Sequence, residues 1–478
     1  MQTRLMATLL ATAALAVAGC NSGSPSSSGT FPPAPPPPPP PPPETSTVRI
    51  VHASADAPNV DIVVEGDVAF GDVPFLAATP ITELDSGDYE IQVDARLPGD
   101  GRLAVIGPVT LSLEADVQYN VLAIGNVGAE ADSPAAFGPL ILEQSQEEIA
   151  ADEVRVRVVH GAPNAPAVNV FVTEPGDLAP GETPLGSFEF GEALAPVTVP
   201  EGEYQIRVAV EDSGAQVVVF DSGTVTLPGG ADLLVTAVPN TGAGDAPVKL
   251  VVADGQSAFT LRDVNTPSNV RVVHASPDAP AVDVIVNDNF EVPFLADVPF
   301  PAASGFVGVE AGEYNVKVTA AGNAGAIVID ADVELPAGAE TTVVAVGLLA
   351  DIEPLLLADE RRGIATESRV RIVHGAPTAG EVDIYVTAVG AGIEGVDPAI
   401  PGFEFLADTG YLSLEPGSYD VTVTLAGTDT VAIGPLPIEI SAGGVYSAIA
   451  RDPLPGTDAF GLILLDDFVV EDEVVEEL

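Results

Sequence analysis

The stretch "VRIVHASADAPNVDIVV", Val48–Val64, decides the fold of this chain, and it is written four times. Its other copies are "VRVVHGAPNAPAVNVFV" from Val156, "VRVVHASPDAPAVDVIV" from Val270 and "VRIVHGAPTAGEVDIYV" from Val370. In a β-strand, side chains two residues apart share a face. Val48, Ile50 and His52 therefore align, as do Val156, Val158 and His160, then Val270, Val272 and His274, then Val370, Ile372 and His374. These four are all the histidines of the chain. Each continues the apolar face that should turn to a core, at the point where the strand enters a turn. A neutral imidazole there can donate to a loop carbonyl and accept from a nearby N–H, a structural part made four times. Arg49, Arg157, Arg271 and Arg371 have the opposite parity.

Three further landmarks follow each copy. The first is a Gly-x-Tyr strand entry, "LDSGDYEIQV", "VPEGEYQIRV", "VEAGEYNVKV" or "LEPGSYDVTV", with Tyr89, Tyr204, Tyr314 and Tyr419 on the apolar phase. Next come an apolar run such as "YNVLAIG" or "TTVVAVG" and a closing run such as "FGPLILE" or "IEPLLLA". Units of about 90–100 residues, built from short β-branched runs punctuated by Gly, Pro, Asp and Asn, predict an all-β chain. The expected architecture is a tandem array of four immunoglobulin-like antiparallel β-sandwiches, at 46–144, 154–254, 268–359 and 368–466, ending in an acidic tail, 467–478. No stretch after residue 44 has a helical period. The Gly-x-Tyr entry resembles the tyrosine corner of immunoglobulin-like folds, so these tyrosines are expected in the core with the hydroxyl bonded to backbone.

The turn after the histidine argues against chemistry. Asp56, Asn164, Asp278 and Thr378 occupy one position; all can accept a backbone bond, but they differ in basicity, which a turn tolerates and a general base does not. Ser54 and Ser276 stand where the even copies carry Ala162 and Ala376, so a serine nucleophile is missing from half the units. No phosphate loop, paired-cysteine spacing or EF-hand loop occurs. The expectation is a non-enzyme with no catalytic residue, metal site or cofactor, calcium being the one ion its acidic segments could attract. With 16 basic against 70 acidic residues the formal charge is -54, which repels nucleic acid and anionic lipid and favours cations, basic proteins or neutral glycans. Glycan stacking wants exposed aromatics; there is no tryptophan, and Tyr385, off the apolar phase of its strand, is the best exposed candidate.

The N-terminus carries one positive charge, Arg4, then the apolar run "LMATLLATAALAVAG", too short to span a bilayer. Val17-Ala18-Gly19-Cys20 resembles a bacterial lipobox, which implies removal of residues 1–19 and a lipid on Cys20, the chain's only cysteine. Asn21 stands where Asp resembles an inner-membrane retention signal; in a Gram-negative host the destination would be the outer membrane or cell surface. Residues 20–45 read as a disordered linker. Its Pro32–Pro43 run predicts a polyproline II rod, ~3.1 Å per residue and so ~37 Å long, that holds the folded part off the membrane.

The signature "VHASPDAPAVDV" is similar to the opening of the bacterial domain of unknown function 4397, and the chain resembles a lipoprotein with four such modules over nearly all of 46–466. The resemblance implies secreted or surface-anchored proteins with an immunoglobulin-type β-sandwich and supplies no catalytic residue. Copy four departs from the signature at Thr378-Ala379-Gly380. Within the array, odd units share His-Ala-Ser and "VPFLA" at Val73 and Val292, while even units share His-Gly-Ala-Pro and "FEF" at Phe188 and Phe403. The order is thus A-B-A-B, a duplicated pair whose members can pack together. Short charged connectors, "EQSQEEIAADE" and "ADERRGIATES", predict a rod of limited flexibility. The functional expectation is a membrane-anchored structural or adhesive stalk. Its alternatives are an envelope glycan or protein receptor using the long loops of the even units, and a hydrolase using the histidine loops.

Overall fold

The computed structural model describes residues 44–179 and 181–468. Cys20, the leader, the whole Pro32–Pro43 run and the tail beyond 468 lie outside the described residues.

The first module contains β1 (Thr45–His52), β2 (Val60–Val64), β3 (Asp67–Val73), β4 (Thr82–Asp85), β5 (Gly87–Leu97), β6 (Gly101–Leu113), β7 (Val117–Ile124) and β8 (Gly138–Ser145). They form two sheets, β4-β1-β7-β8 and β3-β2-β5-β6. The plan repeats in the modules that open with Glu153–His160, Ser268–His274 and Ser368–His374. The chain is therefore all-β, a tandem array of β-sandwiches, as the alternating pattern predicts. Two short 3-10 turns, Pro98–Asp100 and Leu349–Asp351, are its only helical elements among the described residues.

One detail departs from a purely antiparallel sandwich. β1 runs parallel to β7, from Thr47 opposite Gln118 to His52 opposite Ala123, and each other module repeats this pair. Alternation of apolar residues fixes which face is buried but not strand direction. Here five strands intervene between the partners, ample chain for the crossover that a parallel pair needs.

The Val48 and Ile50 face packs on Val60, Ile62, Val93 and Ile106 to make the first core. The opposite face is buried as well. Val51, Ala53 and Leu122 join Val159, Leu234 and Val251 of the second module in one cluster, and Val273, Val344 and Val346 join Val373, Ile449 and Ile463 between the third and fourth. Since a fully buried Val or Leu contributes roughly 1.5–3 kcal/mol, each A–B pair is held by a second core. The Ala/Gly alternation after the histidine follows from this contact. Ala53 and Ala275 place a methyl in the shared cluster. At Gly161 a Cβ would meet Thr236 Cγ2 at 2.9 Å, and at Gly375 it would meet Ile449 Cγ2 at 2.9 Å.

Three expectations are corrected. The counterpart of Val73 is Val298, not Val292: Val60 pairs with Val73 and Val282 with Val298, as Val168 pairs with Phe188 and Val382 with Phe403. The pentapeptide at Val292 duplicates the motif too early in the chain, so that its Leu295 rather than its valine enters the sheet, opposite Val284; Val292 is 69% exposed against 0% for Val298. Val298→Ala should therefore cost about 1–3 kcal/mol by leaving a void, and Val292→Ala less than about 0.5 kcal/mol, measured by urea denaturation. Equal costs would overturn the register.

Tyr385 is buried, not exposed. It lies in the outward row between Asp383 and Thr387, both also buried. The neighbouring strand and two loops are tied to this sheet, Gly402 N–H and Gly427 N–H donating to Asp383 and Gly390 N–H to Asp420.

Nor are the modules strung out as a rod. The connector before the fourth module docks on the first: Arg362 Nη1 donates to Ala55 O at 3.1 Å and Ala57 O at 2.9 Å, and Ala365 N–H donates to Asp56 O at 2.8 Å. The charged connector thus acts as a clamp between the two pairs.

Candidate functional site

The four histidine turns share one geometry. His52 Nε2 lies 3.0 Å from Pro58 O, His160 Nε2 3.1 Å from Pro166 O, His274 Nε2 3.1 Å from Pro280 O and His374 Nε2 2.8 Å from Gly380 O. A carbonyl only accepts, so Nε2 carries the proton. On the other side Nδ1 receives a backbone N–H, from Ser54 at 3.4 Å, Ala162 at 3.3 Å, Ser276 at 3.3 Å and Ala376 at 3.3 Å. Both ring nitrogens are occupied in every copy, which leaves a base no lone pair for a substrate proton. Burial lowers the His52 pKa to about 4; the Pro58 bond opposes this, and Arg362 adds to it. Burial also lowers His274 and His374 against their carbonyl bonds.

The variable turn position ties this loop to the one after the parallel strand. Asp56 accepts from Val127 N–H and Gly128 N–H, Asp278 from Leu349 N–H, and Thr378 Oγ1 donates to Asp452. Ser54 Oγ donates to Gly125 O at 2.7 Å, while the buried Ser276 Oγ has no hydrogen-bond partner among the described residues. The tyrosines repeat one bond too: the hydroxyls of Tyr89, Tyr204, Tyr314 and Tyr419 donate to Asp85 O, Pro200 O, Glu310 O and Glu415 O at 2.7–3.0 Å, four residues upstream. Their rings are half-buried against the cores.

The arginines are what sequence reasoning missed. Arg49, Arg157, Arg271 and Arg371 are all buried in the A–B contacts. Arg49 holds Asn120 of its own module and reaches Ala253 O of the second, while Arg157 reaches back to Glu143 O of the first. In the second pair Arg271 and Arg371 converge on Asp359, whose side chain is fully buried, and Arg271 also bonds Asp466 at 2.8 Å. Identical arginines at four outward positions were the available signal, because a solvent-facing site has no need of one residue type.

The two pairs enclose a cleft of about 680 Å³ lined from all four modules, including Asn59, Phe75, Lys249, Glu340, Arg362 and Tyr411. Aromatic rings there face cations in twos. Phe75 lies 5.4 Å from Lys249 Nζ and 5.3 Å from Arg362 Cζ, and Tyr411 lies 4.8 Å from Arg369 and 4.5 Å from Arg371. Among the described residues no three His, Cys, Asp or Glu side chains come together to hold a metal ion.

The model of the family described as "Domain of unknown function (DUF4397)" matches residues 46–171 and 268–385. The chain belongs to the DUF4397 family. Each DUF4397 match starts in an odd module and runs through the histidine turn of the next even one, so each contains both arginines of a pair, Arg49 with Arg157 or Arg271 with Arg371. No curated protein matches the chain. Among solved structures, a candidate cell adhesion protein from Bacteroides fragilis NCTC 9343 is similar at 12% identity and a TM-score of 0.12, over 68% of this chain and 100% of that one.

Proposed function

We propose that this DUF4397 protein is an exported lipoprotein that works by presentation and binding, without catalysis. A head of four sandwiches is held off the membrane by the proline spacer behind a lipid on Cys20. The observation that carries the reading is the repeated use of the motif residues. The four imidazoles and the four corner hydroxyls are taken up by backbone hydrogen bonds in the same way in every copy. Residues spent on closing turns are suited to building a stable body. The docked connector replaces the extended stalk by a compact head, which suits adhesion or capture at a defined surface better than reach. The loop of the fourth module at 389–399 favours a receptor role, since Val389 and Val396 are exposed apolar side chains there.

The anchor is tested by labelling cells with a radioactive or clickable palmitate. The chain should take up label and sediment with membranes, whereas Cys20→Ser should lose the label and appear in the soluble fraction. A Cys20→Ser protein that still sediments with membranes would remove the lipid anchor from the proposal.

A further inference from the structure

The cleft between the pairs contradicts the overall charge of the chain. With 16 basic and 70 acidic residues, every cation should find a carboxylate, and most described ones do. Arg157, Lys249 and Arg262 do not: Arg157 is held by Glu143 O and Gln144 away from the cleft, and among the described residues neither Lys249 nor Arg262 has a carboxylate within ion-pair distance. Among the described residues the only side-chain hydrogen bond of Lys249 is to Thr241 Oγ1, at 3.3 Å. Its neighbours aggravate the imbalance. Phe75 covers one side of the ammonium, and the cations of Arg262 and Arg362 both act on it. Burial first, then those two arginines, bring Lys249 down to about 8, with Glu360 opposing them. Arg262 lies against Gly338, itself part of the cleft wall.

The carboxylates that line the cleft are already engaged. Asp72 holds Arg96 at 3.2 Å, Glu340 holds Arg361 at 2.6 Å, Glu360 holds Arg369 at 2.9 Å and Arg362 at 3.4 Å, Asp359 holds Arg271 and Arg371, and Glu367 accepts from Ser413 Oγ. Around the cleft, Lys249 and Arg262 are the cations left without a carboxylate of their own. A half-buried ammonium without a paired carboxylate is costly, and an anion entering the cleft relieves that cost.

We propose that this cleft binds a small polar anion, a carboxylate- or phosphate-bearing molecule whose acidic group sits on Lys249 Nζ with Arg262 and Arg362 beside it. Its size suits a sugar acid or similar molecule, and the net charge of the chain excludes long polyanions, which the surrounding surface repels. The site extends the binding role proposed above and stands apart from the anchor: losing it would leave the palmitate result untouched.

The test is calorimetric titration of the full chain in neutral detergent with inorganic phosphate, galacturonate and, as the uncharged analogue, galactose. One or both anions should bind, weaken as sodium chloride rises, and galactose should not. Galacturonate alone would identify a sugar acid, phosphate alone a phosphate group. Lys249→Met should weaken binding at least tenfold and the exposed Arg262→Ala about threefold, with thermal melts unchanged, while Lys317→Met, whose lysine is paired with Asp288, should bind as the parent does. Should Lys249→Met misfold, Arg262→Ala carries the test. No binding by either anion, equal binding of galactose, or unaltered affinity in a folded Lys249 or Arg262 variant would overturn the site.

Discussion

Asp359→Ala is expected to destabilise the contact between the third and fourth modules by about 3–5 kcal/mol, the largest effect of any single substitution considered. The Asp359 side chain has no exposure and accepts from Arg271, from Arg371, from Thr342 Oγ1 at 2.6 Å and from the Tyr411 hydroxyl at 3.3 Å. Arg371 is itself 1% exposed at the side chain, so removing the carboxylate strands a buried guanidinium. Burial first, with Asp359 and Asp466 adding to it, raises the Tyr411 hydroxyl to about 12, the Ser447 bond and Arg371 opposing that rise. In the first pair Gln144 accepts from Arg157, and Arg49 has Asn120 and Ala253 O as well as Asp232. That pair spreads its load over several acceptors, so Gln144→Ala should cost no more than about 1–2 kcal/mol. Urea denaturation followed by far-UV circular dichroism distinguishes the two: Asp359→Ala should split off an early transition and Gln144→Ala should not. Adding Arg371→Met and Arg271→Met to Asp359→Ala should restore most of the loss, because the cost lies in the unpaired charge. A loss below about 1 kcal/mol in the single variant would mean that the arginines are solvated in solution and that the buried network does not hold the pair.

The same network marks the limit of what the sequence discloses. Parity along Val48–His52 places the core face and the histidine, and the Gly-x-Tyr spacing places the corner bond, because both depend on neighbours within one strand and one turn. The fate of Arg49 and Val51 depends on another module covering the second face, which local alternation cannot express. The strand reads as one-sided and is buried on both sides. Val292 is ambiguous for a related reason: its pentapeptide copies Val73–Ala77 residue for residue, and only the pairing of Val282 with Val298 decides which valine takes the place of Val73. Tyr385 was assigned outward correctly by parity, but loops bonded to Asp383 and Asp420 close over that direction. The cleft was least legible, since Lys249, Arg262 and Arg362 come from separate modules and connectors and carry no common motif.

Acid should loosen the first module through His52, and the sign follows from its pKa of about 4 in the fold against roughly 6.5 in an unfolded chain. Above pH 6.5 neither state is protonated and the histidine adds no pH dependence. Between 6.5 and 4 the unfolded chain binds a proton that the folded one refuses, so stability falls as pH falls, by about 3 kcal/mol in total, and levels off below 4. His274 and His374 shift in the same direction. His52→Gln isolates the term: at pH 7.5 it should cost about 1–2 kcal/mol through the lost bond to Pro58 O, and by pH 4.5 the parent should have lost about 2.5 kcal/mol relative to the variant, enough to cancel or reverse that advantage. Denaturation at the two pH values measures both, and a gap that stays constant would show that the ring is protonated freely in the fold. The turn closed by His52 also supplies the Ala55, Asp56 and Ala57 carbonyls that hold Arg362 and Ala365. Protonation at this single ring therefore acts on the clamp between the two pairs, and with it on the wall of the cleft where Arg362 faces Phe75 and Lys249.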